Sequence, residues 1–131
     1  MKVSSLFILI IISFLSISIQ SQETIWLDEN LEKTTEHKAN YYKVGTKLEG
    51  EVSYFYKNQN IYRKVFFVNG KAEGNYSEFY ISGELKETGR LENGLRDGVW
   101  KTYYKNGKIE SRGKYKDGEK VGIWKTFYKN I

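Results

Sequence analysis

The sequence lacks cysteine and proline altogether and has a single histidine among its 131 residues. Without cysteine, a disulfide framework, a thiolate zinc site, an iron–sulfur cluster and a cysteine nucleophile are all excluded. The lone His37 excludes a multi-histidine metal centre and argues against a catalytic triad. Average usage would give about six or seven prolines in a chain of this length. These absences argue against most enzymes, and we expect no catalytic residue, no metal and no cofactor.

The composition is rich in glycine and aromatic residues, with 12 Gly, 11 Tyr, 7 Phe and 3 Trp. Disordered chains are poor in aromatic residues, so we expect a folded chain. Its length suits one domain, because domains commonly hold ~100–200 residues.

The first 22 residues have the order of a secretory signal. Lys2 supplies a positive start, residues 6–19 form an apolar run broken by serines, and residues 20–22 are polar. The run is shorter than the ~20 apolar residues of a transmembrane helix, and an uncleaved signal anchor is the alternative. We expect cleavage between residues 18 and 22. The protein would then be exported, periplasmic or secreted, and not a lipoprotein, because no cysteine follows the run.

Positive charge is concentrated at the C-terminal end. Residues 98–131 contain nine basic and three acidic side chains, a net charge of +6. A basic end on an exported protein suits an anionic membrane surface or an acidic partner, although a solvated face that keeps a sheet soluble is the alternative. The cations that would contact an anionic surface are Lys101, Lys105, Arg112, Lys114 and Lys125.

A 24-residue repeat organises the chain. Gly98-Val-Trp-Lys-Thr-Tyr-Tyr-Lys-Asn recurs as Gly122-Ile-Trp-Lys-Thr-Phe-Tyr-Lys-Asn, and earlier copies begin at Gly74 and Gly50. Eleven of the 12 glycines fall on four phases of this lattice, and only Gly45 lies off it. Self-similarity at a fixed period is the signature of a repeat architecture. The glycines assigned a structural role in the repeat are Gly74, Gly83, Gly89, Gly94, Gly98, Gly107, Gly113, Gly118 and Gly122.

Each unit has the pattern of a β-hairpin. In the third unit, residues 99–105 and 108–115 flank Asn106-Gly107, a strong signal for a two-residue turn. Asp117-Gly118 supplies the turn into the next unit. Proline is absent because it cannot donate a hydrogen bond to a strand ladder. The pairings that this turn predicts are Trp100 with Gly113, Thr102 with Ser111, and Tyr104 with Ile109.

Alternation along these strands predicts one aromatic face and one charged face. The glycine opposite Trp100 would make room for the indole ring. Exposed aromatic patches usually mark interaction sites, although internal packing along a twisted sheet is the alternative. The side chains that would contact a partner are Trp100, Tyr104, Tyr115, Trp124 and Tyr128.

The predicted fold is all-β, an elongated open antiparallel meander of tandem ~24-residue hairpin repeats with an irregular N-terminal cap. Residues 1–22 are the signal peptide, and residues 23–49 form the cap and the first strand. A helical turn is expected at 35–39, before a strand at 40–44. The repeats fill 50–131, with units at 50–73, 74–97 and 98–121 and a partial unit at 122–131.

The motif Gly98-x-Trp-Lys-x-Tyr-Tyr-x-Asn-Gly-Lys-Ile, followed by Gly113-x-Tyr-x-x-Gly118, resembles the MORN-repeat variant, the second MORN type found in many bacterial proteins. The resemblance covers residues 70–131 well and 50–69 weakly. It implies an open sheet of successive hairpins. Exported members are often labelled as the antitoxin component of a toxin–antitoxin pair. That label implies binding that neutralises a partner protein, and such a role requires a cytoplasmic pool of the antitoxin.

The function predicted is that of a non-enzymatic, exported protein-interaction module in the bacterial envelope. The alternatives are an antitoxin-like neutralising binder of a partner protein and a peripheral binder of anionic membrane through the basic repeats. Neither nucleic acid nor a small-molecule substrate is expected. Glu78, Glu84, Glu87 and Glu92 are expected at alternating exposed positions with no partner histidine, so no catalytic carboxylate pair is predicted.

Overall fold

The computed structural model describes residues 22–128, which form a single antiparallel sheet whose nine strands follow one another in chain order. A 3-10 turn at Glu36–Lys38 precedes the second strand. The predicted signal peptide, apart from Gln22, and residues 129–131 of the partial unit lie outside the described residues. The strands are β1 Thr24–Leu27, β2 Tyr41–Val44, β3 Gly50–Tyr56, β4 Ile61–Val68, β5 Lys71–Phe79, β6 Leu85–Glu92, β7 Leu95–Tyr103, β8 Ile109–Lys116 and β9 Glu119–Thr126.

The predicted all-β meander of hairpins is confirmed. The segment before the repeats differs in detail, because residues 23–49 contribute two strands where one was expected. β1 pairs with β2 from Thr24↔Val44 to Leu27↔Tyr41, so this segment extends the sheet sideways. The helical turn predicted at residues 35–39 is the 3-10 turn.

The turns between successive units are tight two-residue turns. Both central residues have positive φ, for example 50° at Asp117 and 83° at Gly118. Positive φ at both positions defines the type I′ turn, whose twist matches that of the flanking strands. The other two turns of this kind are Asn69-Gly70 and Asn93-Gly94.

The turn inside the third unit is longer than predicted. Only Gly107 has positive φ, at 84°. The Tyr104 N–H donates to the Lys108 carbonyl at 2.9 Å, and the Gly107 N–H donates to the Tyr104 carbonyl at 2.9 Å. The loop is therefore three residues long with a left-handed glycine. The Asn106 side chain accepts a bond from the Lys108 N–H at 3.0 Å and holds this turn in place of the tighter one.

The longer loop changes the register next to the turn. Tyr103, and not Tyr104, pairs with Ile109, so the predicted pairing of Tyr104 is wrong. Further from the turn, the predicted pairings of Trp100 with Gly113 and of Thr102 with Ser111 are confirmed.

One phase of the glycine lattice marks bulges inside strands. Gly74, Gly98 and Gly122 have φ of 104°, 70° and 66° although each lies within a strand. At each of these glycines, three residues of the strand lie opposite a single residue of the preceding strand. In the last case, Arg112 pairs with Lys125 and Lys114 pairs with Val121, so one residue of β8 faces three residues of β9. Bulges of this kind bend a strand and increase its twist.

The core lies on one face of the sheet and is built largely from rings. Its most deeply buried large side chain is Trp100, which is 1% exposed. The other buried residues of the cluster are Ile25, Leu27, Tyr54, Tyr62, Val65, Phe67 and Tyr76. No second layer covers this face within residues 22–128, so large side chains on neighbouring strands bury one another.

The indole of Trp100 lies over Gly89 of the preceding strand. A Cβ placed on Gly89 would be 2.2 Å from Trp100 Cδ2. Gly113, the predicted space for this ring, lies under Trp124 at the same distance, so that prediction is wrong. The register pairs Trp100 with Gly113 of β8, but the indole ring lies on the other side of β7, over Gly89 of β6.

The Gly89→Ala substitution tests this packing. We expect it to lower the free energy of unfolding by about 1–3 kcal/mol, because a methyl group would overpack a ring that has no space to move. Urea unfolding measures the change. The matched control is Gly113→Ala, which meets the less deeply buried Trp124 at the edge of the sheet and should cost less. A loss of stability in Gly89→Ala that is equal to or smaller than the loss in Gly113→Ala would contradict this packing.

Candidate interaction surfaces

The five aromatic residues predicted to contact a partner occupy different environments. Trp100 is buried in the core and offers no surface to a partner in this structure. Tyr115 is half-buried between the rings of Trp100 and Trp124, at centroid distances of 5.9 and 5.1 Å. Tyr128 is 87% exposed. These side chains therefore do not form one exposed aromatic face.

Cations cover the rings of this face. The guanidinium carbon of Arg96 is 4.2 Å from the centroid of the Trp100 ring and 5.2 Å from that of Tyr115. Arg63 lies over Tyr62 and Tyr76 in the same manner, at 4.7 and 5.3 Å. Such cation–π contacts contribute about 0.5–1 kcal/mol at exposed sites and more where water is excluded. The aromatic face is thus closed by the chain's own side chains.

Two carboxylates hold these guanidinium groups. Glu78 and Glu87 are directly paired across β5 and β6, and both side chains are mostly buried. Arg96 Nη2 donates to Glu87 Oε2 at 3.1 Å, and Arg63 Nη2 lies 3.6 Å from Glu78 Oε2. The expectation that Glu78 and Glu87 are exposed is therefore wrong. Like charges placed opposite each other are unfavourable, and the arginines offset that cost here.

Tyrosine hydroxyls link each hairpin to the next. The hydroxyl of Tyr56 donates to the Phe79 carbonyl at 2.6 Å, and that of Tyr80 donates to the Tyr103 carbonyl at 2.7 Å. The third bond runs from Tyr104 to the Phe127 carbonyl at 2.8 Å. Tyr104, a predicted partner contact, thus stabilises the repeat, and we call these three bonds the tyrosine ladder.

Burial raises the pKa of five tyrosines, Tyr54, Tyr56, Tyr62, Tyr76 and Tyr80, with desolvation of the phenolate as the largest cause in each. The nearby guanidinium of Arg63 lowers the pKa of Tyr76 but does not offset the burial. A buried phenolate is costly, so the folded chain keeps these groups protonated beyond their ordinary range.

Stability should therefore fall in alkali. Below about pH 10 the tyrosines are protonated in both states and their contribution is fully present. Above it the unfolded chain loses protons that the folded chain retains, so the free energy of unfolding falls as pH rises. Urea unfolding and tyrosinate absorbance across this range measure both effects. Tyrosines that all titrate together, with no loss of stability, would argue against the buried environment.

The opposite face of the last strands carries a row of cations. Lys101 on β7 pairs with Arg112 on β8, and Arg112 also pairs with Lys125 on β9. We call these three side chains the basic row. Lys114 lies one position along, between Val99 and Val121 in a second cross-strand row.

One predicted cation does not belong to this face. Lys105 lies in the three-residue loop, with its Nζ 5.5 Å from the centroid of the Tyr80 ring. Of the five cations singled out in the sequence, four lie together on this face. The fifth, Lys105, lies away from them because the loop is one residue longer than predicted.

Like charges face each other along the basic row without compensation. Each of the salt bridges within residues 22–128 involves other residues, namely Arg63 and Lys86 with Glu78, Lys64 with Glu51, and Arg96 with Glu87. Directly opposed like charges destabilise a sheet. The row is therefore a surface where an external anion would relieve repulsion.

The Arg112→Ser substitution should stabilise the chain. Removing the central charge of the basic row relieves two repulsive pairs, and we expect a gain of about 0.2–1 kcal/mol in the free energy of unfolding. Urea unfolding at low salt measures it, and the gain should shrink as salt screens the charges. The matched control is Arg90→Ser, since Arg90 pairs with Asp97 and its removal relieves nothing. A loss of stability in Arg112→Ser would refute the repulsion.

The described residues hold no cluster of three or more histidine, cysteine, aspartate or glutamate side chains placed to bind a metal ion. Within residues 22–128, no helix is long and apolar enough to cross a membrane.

A known protein family matches part of the hairpin formed by β7 and β8, which contributes Lys101 and Arg112 to the basic row. No curated protein matches the chain. The family model described as the MORN repeat variant matches residues 96–117, which begin within β7 and extend through β8 into the next turn. MORN repeats are generally protein- or membrane-binding modules, and their all-β fold is typical of binding more than of catalysis. Residues 96–117 therefore match a repeat of the MORN variant type, and the resemblance seen in the sequence is confirmed there.

Proposed function

We propose that the chain is a non-catalytic, exported protein-interaction module of the bacterial envelope, and that it binds an acidic protein surface through the basic row. The supporting observation is the uncompensated alignment of Lys101, Arg112 and Lys125 across three strands. The family match supports a binding role in general terms.

The geometry of the face favours an ordered acidic partner. Neighbouring strands lie about 4.7–4.9 Å apart, so the basic row presents three positive charges at a regular spacing. Carboxylates on a facing strand or helix surface have comparable spacings. The half-exposed apolar side chains of Val99 and Val121 lie beside Lys114 and add contact area to the charges. Charge complementarity of this kind selects the partner and speeds the encounter.

Peripheral binding to an anionic membrane is the second candidate. The exposed side chains of Ile123 and Phe127 lie near Lys125 at the end of the sheet and would favour an interface between water and lipid. Each lysine or arginine near an anionic membrane contributes about 1 kcal/mol. A third candidate, antitoxin-like neutralisation of a partner, would use the same face but needs a cytoplasmic pool, which fractionation of cells would reveal.

The double variant Arg112→Ser/Lys125→Ser tests the proposal. It should lose most cross-linked capture of partners from envelope extracts at low salt, and its fold should be at least as stable as the wild type. The matched control, Lys33→Ser/Lys38→Ser, removes the same charge from exposed positions before the repeats and should leave capture unchanged.

Vesicles of phosphatidylcholine with and without phosphatidylglycerol separate the two kinds of partner. If the chain sediments only with the anionic vesicles, and the double variant Arg112→Ser/Lys125→Ser with neither kind, the partner is an anionic membrane and not a protein. Capture that both double variants retain in full would refute a role for the basic row.

A further inference from the structure

The two edges of the sheet differ in how they are covered. On the outer side of β1, the Thr34 N–H donates to the Trp26 carbonyl at 2.9 Å, and Leu27 forms a bridge with Lys33. On the other side of the sheet, β9 pairs with β8, and no other described strand pairs with it. An exposed strand edge offers unpaired backbone groups to an incoming strand.

The repeat itself shows what covers a strand of this kind. By the 24-residue period, β9 corresponds to β5 and β7, which are covered by β6 and β8. In both cases a glycine is paired with the buried ring, as Gly113 is with Trp100. A large apolar residue is paired with the bulge glycine, as Tyr115 is with Gly98. A strand that covered β9 in this register would place a glycine opposite Trp124.

Side chains at the β9 edge lack contacts that their equivalents make. Ile123 is 85% exposed although it lies inside the strand. The indole N–H of Trp124 is buried without a hydrogen-bond partner among the described residues, whereas that of Trp100 donates to the Asp97 carbonyl at 3.2 Å. Tyr128 is next in phase after Tyr104 in the tyrosine ladder and is exposed.

Charge decides the chemistry of the incoming strand. The residue placed opposite Lys125 would extend the basic row by one position, beside Arg112 and Lys101. Another cation there would add repulsion, and a carboxylate would relieve it. Thr102 pairs with Ser111 and bonds to its hydroxyl at 2.6 Å, so a serine is the matching residue opposite Thr126. The pattern that fits is Ser-Glu-Gly-x-Tyr, running antiparallel to β9.

We propose that the outer edge of β9 binds an extended acidic segment of a partner protein by strand addition, with a carboxylate of that segment opposite Lys125. Backbone hydrogen bonds supply affinity in this mode, and alternate side chains supply specificity. The inference rests on the proposed function in that the partner is an acidic protein, but it places the contact at the edge of the sheet.

A nine-residue peptide, Lys-Ile-Glu-Ser-Glu-Gly-Glu-Tyr-Lys, is the probe. It carries the β8 pattern with glutamate where Arg112 and Lys114 stand. Fluorescence anisotropy of the labelled peptide measures its binding to the chain. Replacing the glutamate before the glycine by lysine should weaken binding at least tenfold at low salt, because a cation opposite Lys125 adds repulsion. Replacing its glycine by valine is the matched control and should weaken binding less, because the Trp124 ring lies over Gly113 of β8, on the far side of β9 from the peptide.

Amide hydrogen exchange locates the site. Peptide binding should slow exchange in β9 and leave β1, the matched edge, unchanged, because exchange reports local opening of backbone hydrogen bonds. Equal binding of the glutamate and lysine peptides at low salt, or binding without protection of β9, would overturn the proposal. Protection, in the free chain, of the β9 amides that point away from β8 would show that a second copy or the chain's own terminal residues occupy the edge. That result would overturn the proposal, and sedimentation would distinguish the two occupants.

The peptide assay and the capture assay fail independently. If no peptide binds while capture still depends on Arg112 and Lys125, the strand-addition site is refuted and the interaction through the basic row stands. If the peptide binds and protects β9 while capture ignores those charges, the proposed use of the basic row is refuted.

Discussion

The structure depends on a large ring lying over a strand position that has no side chain. Trp100 covers Gly89, and Trp124 covers Gly113, with the same close approach in both units. A sheet without a second layer can bury apolar area only among side chains of neighbouring strands, so the ring must lean across the backbone beside it. Arg96, its partner Glu87 and the bulge at Gly98 all lie beside the contact of Trp100 with Gly89.

Much of the fold follows from the sequence because the repeat is periodic in glycine. The lattice predicts the hairpins, the strand order and the pairing of Trp100 with Gly113, all of which depend on local turn chemistry and alternation. The loop at Asn106 shows the limit of that reasoning. An Asn-Gly pair suits two different turns, and the choice depends on a hydrogen bond from the asparagine side chain to the backbone that spacing alone does not reveal.

The candidate surfaces were less predictable for a related reason. Alternation assigns side chains to faces but does not indicate whether a face is covered. The rings of Trp100 and Tyr115 are covered by Arg96, which is held by Glu87 of the adjacent strand β6. The basic row could be read from the sequence, since cross-strand pairing follows from the register. That its like charges lie directly opposite one another follows only from the register on both sides of Arg112, with Lys101 on β7 and with Lys125 on β9. The bulge at Gly98 gives no signal beyond the glycine itself, which also suits a turn.

The strict chain order of the strands has a mechanical consequence. Force applied between β1 and β9 acts across the sheet, perpendicular to the strands, so it would open one hairpin at a time and not shear many bonds together. The Tyr80 hydroxyl spans from the end of β5 to the end of β7 and so bypasses the strand between them. A pulled sheet of this kind would behave as an extensible tether that yields in steps of one repeat, and each step would break one cross-link of the tyrosine ladder.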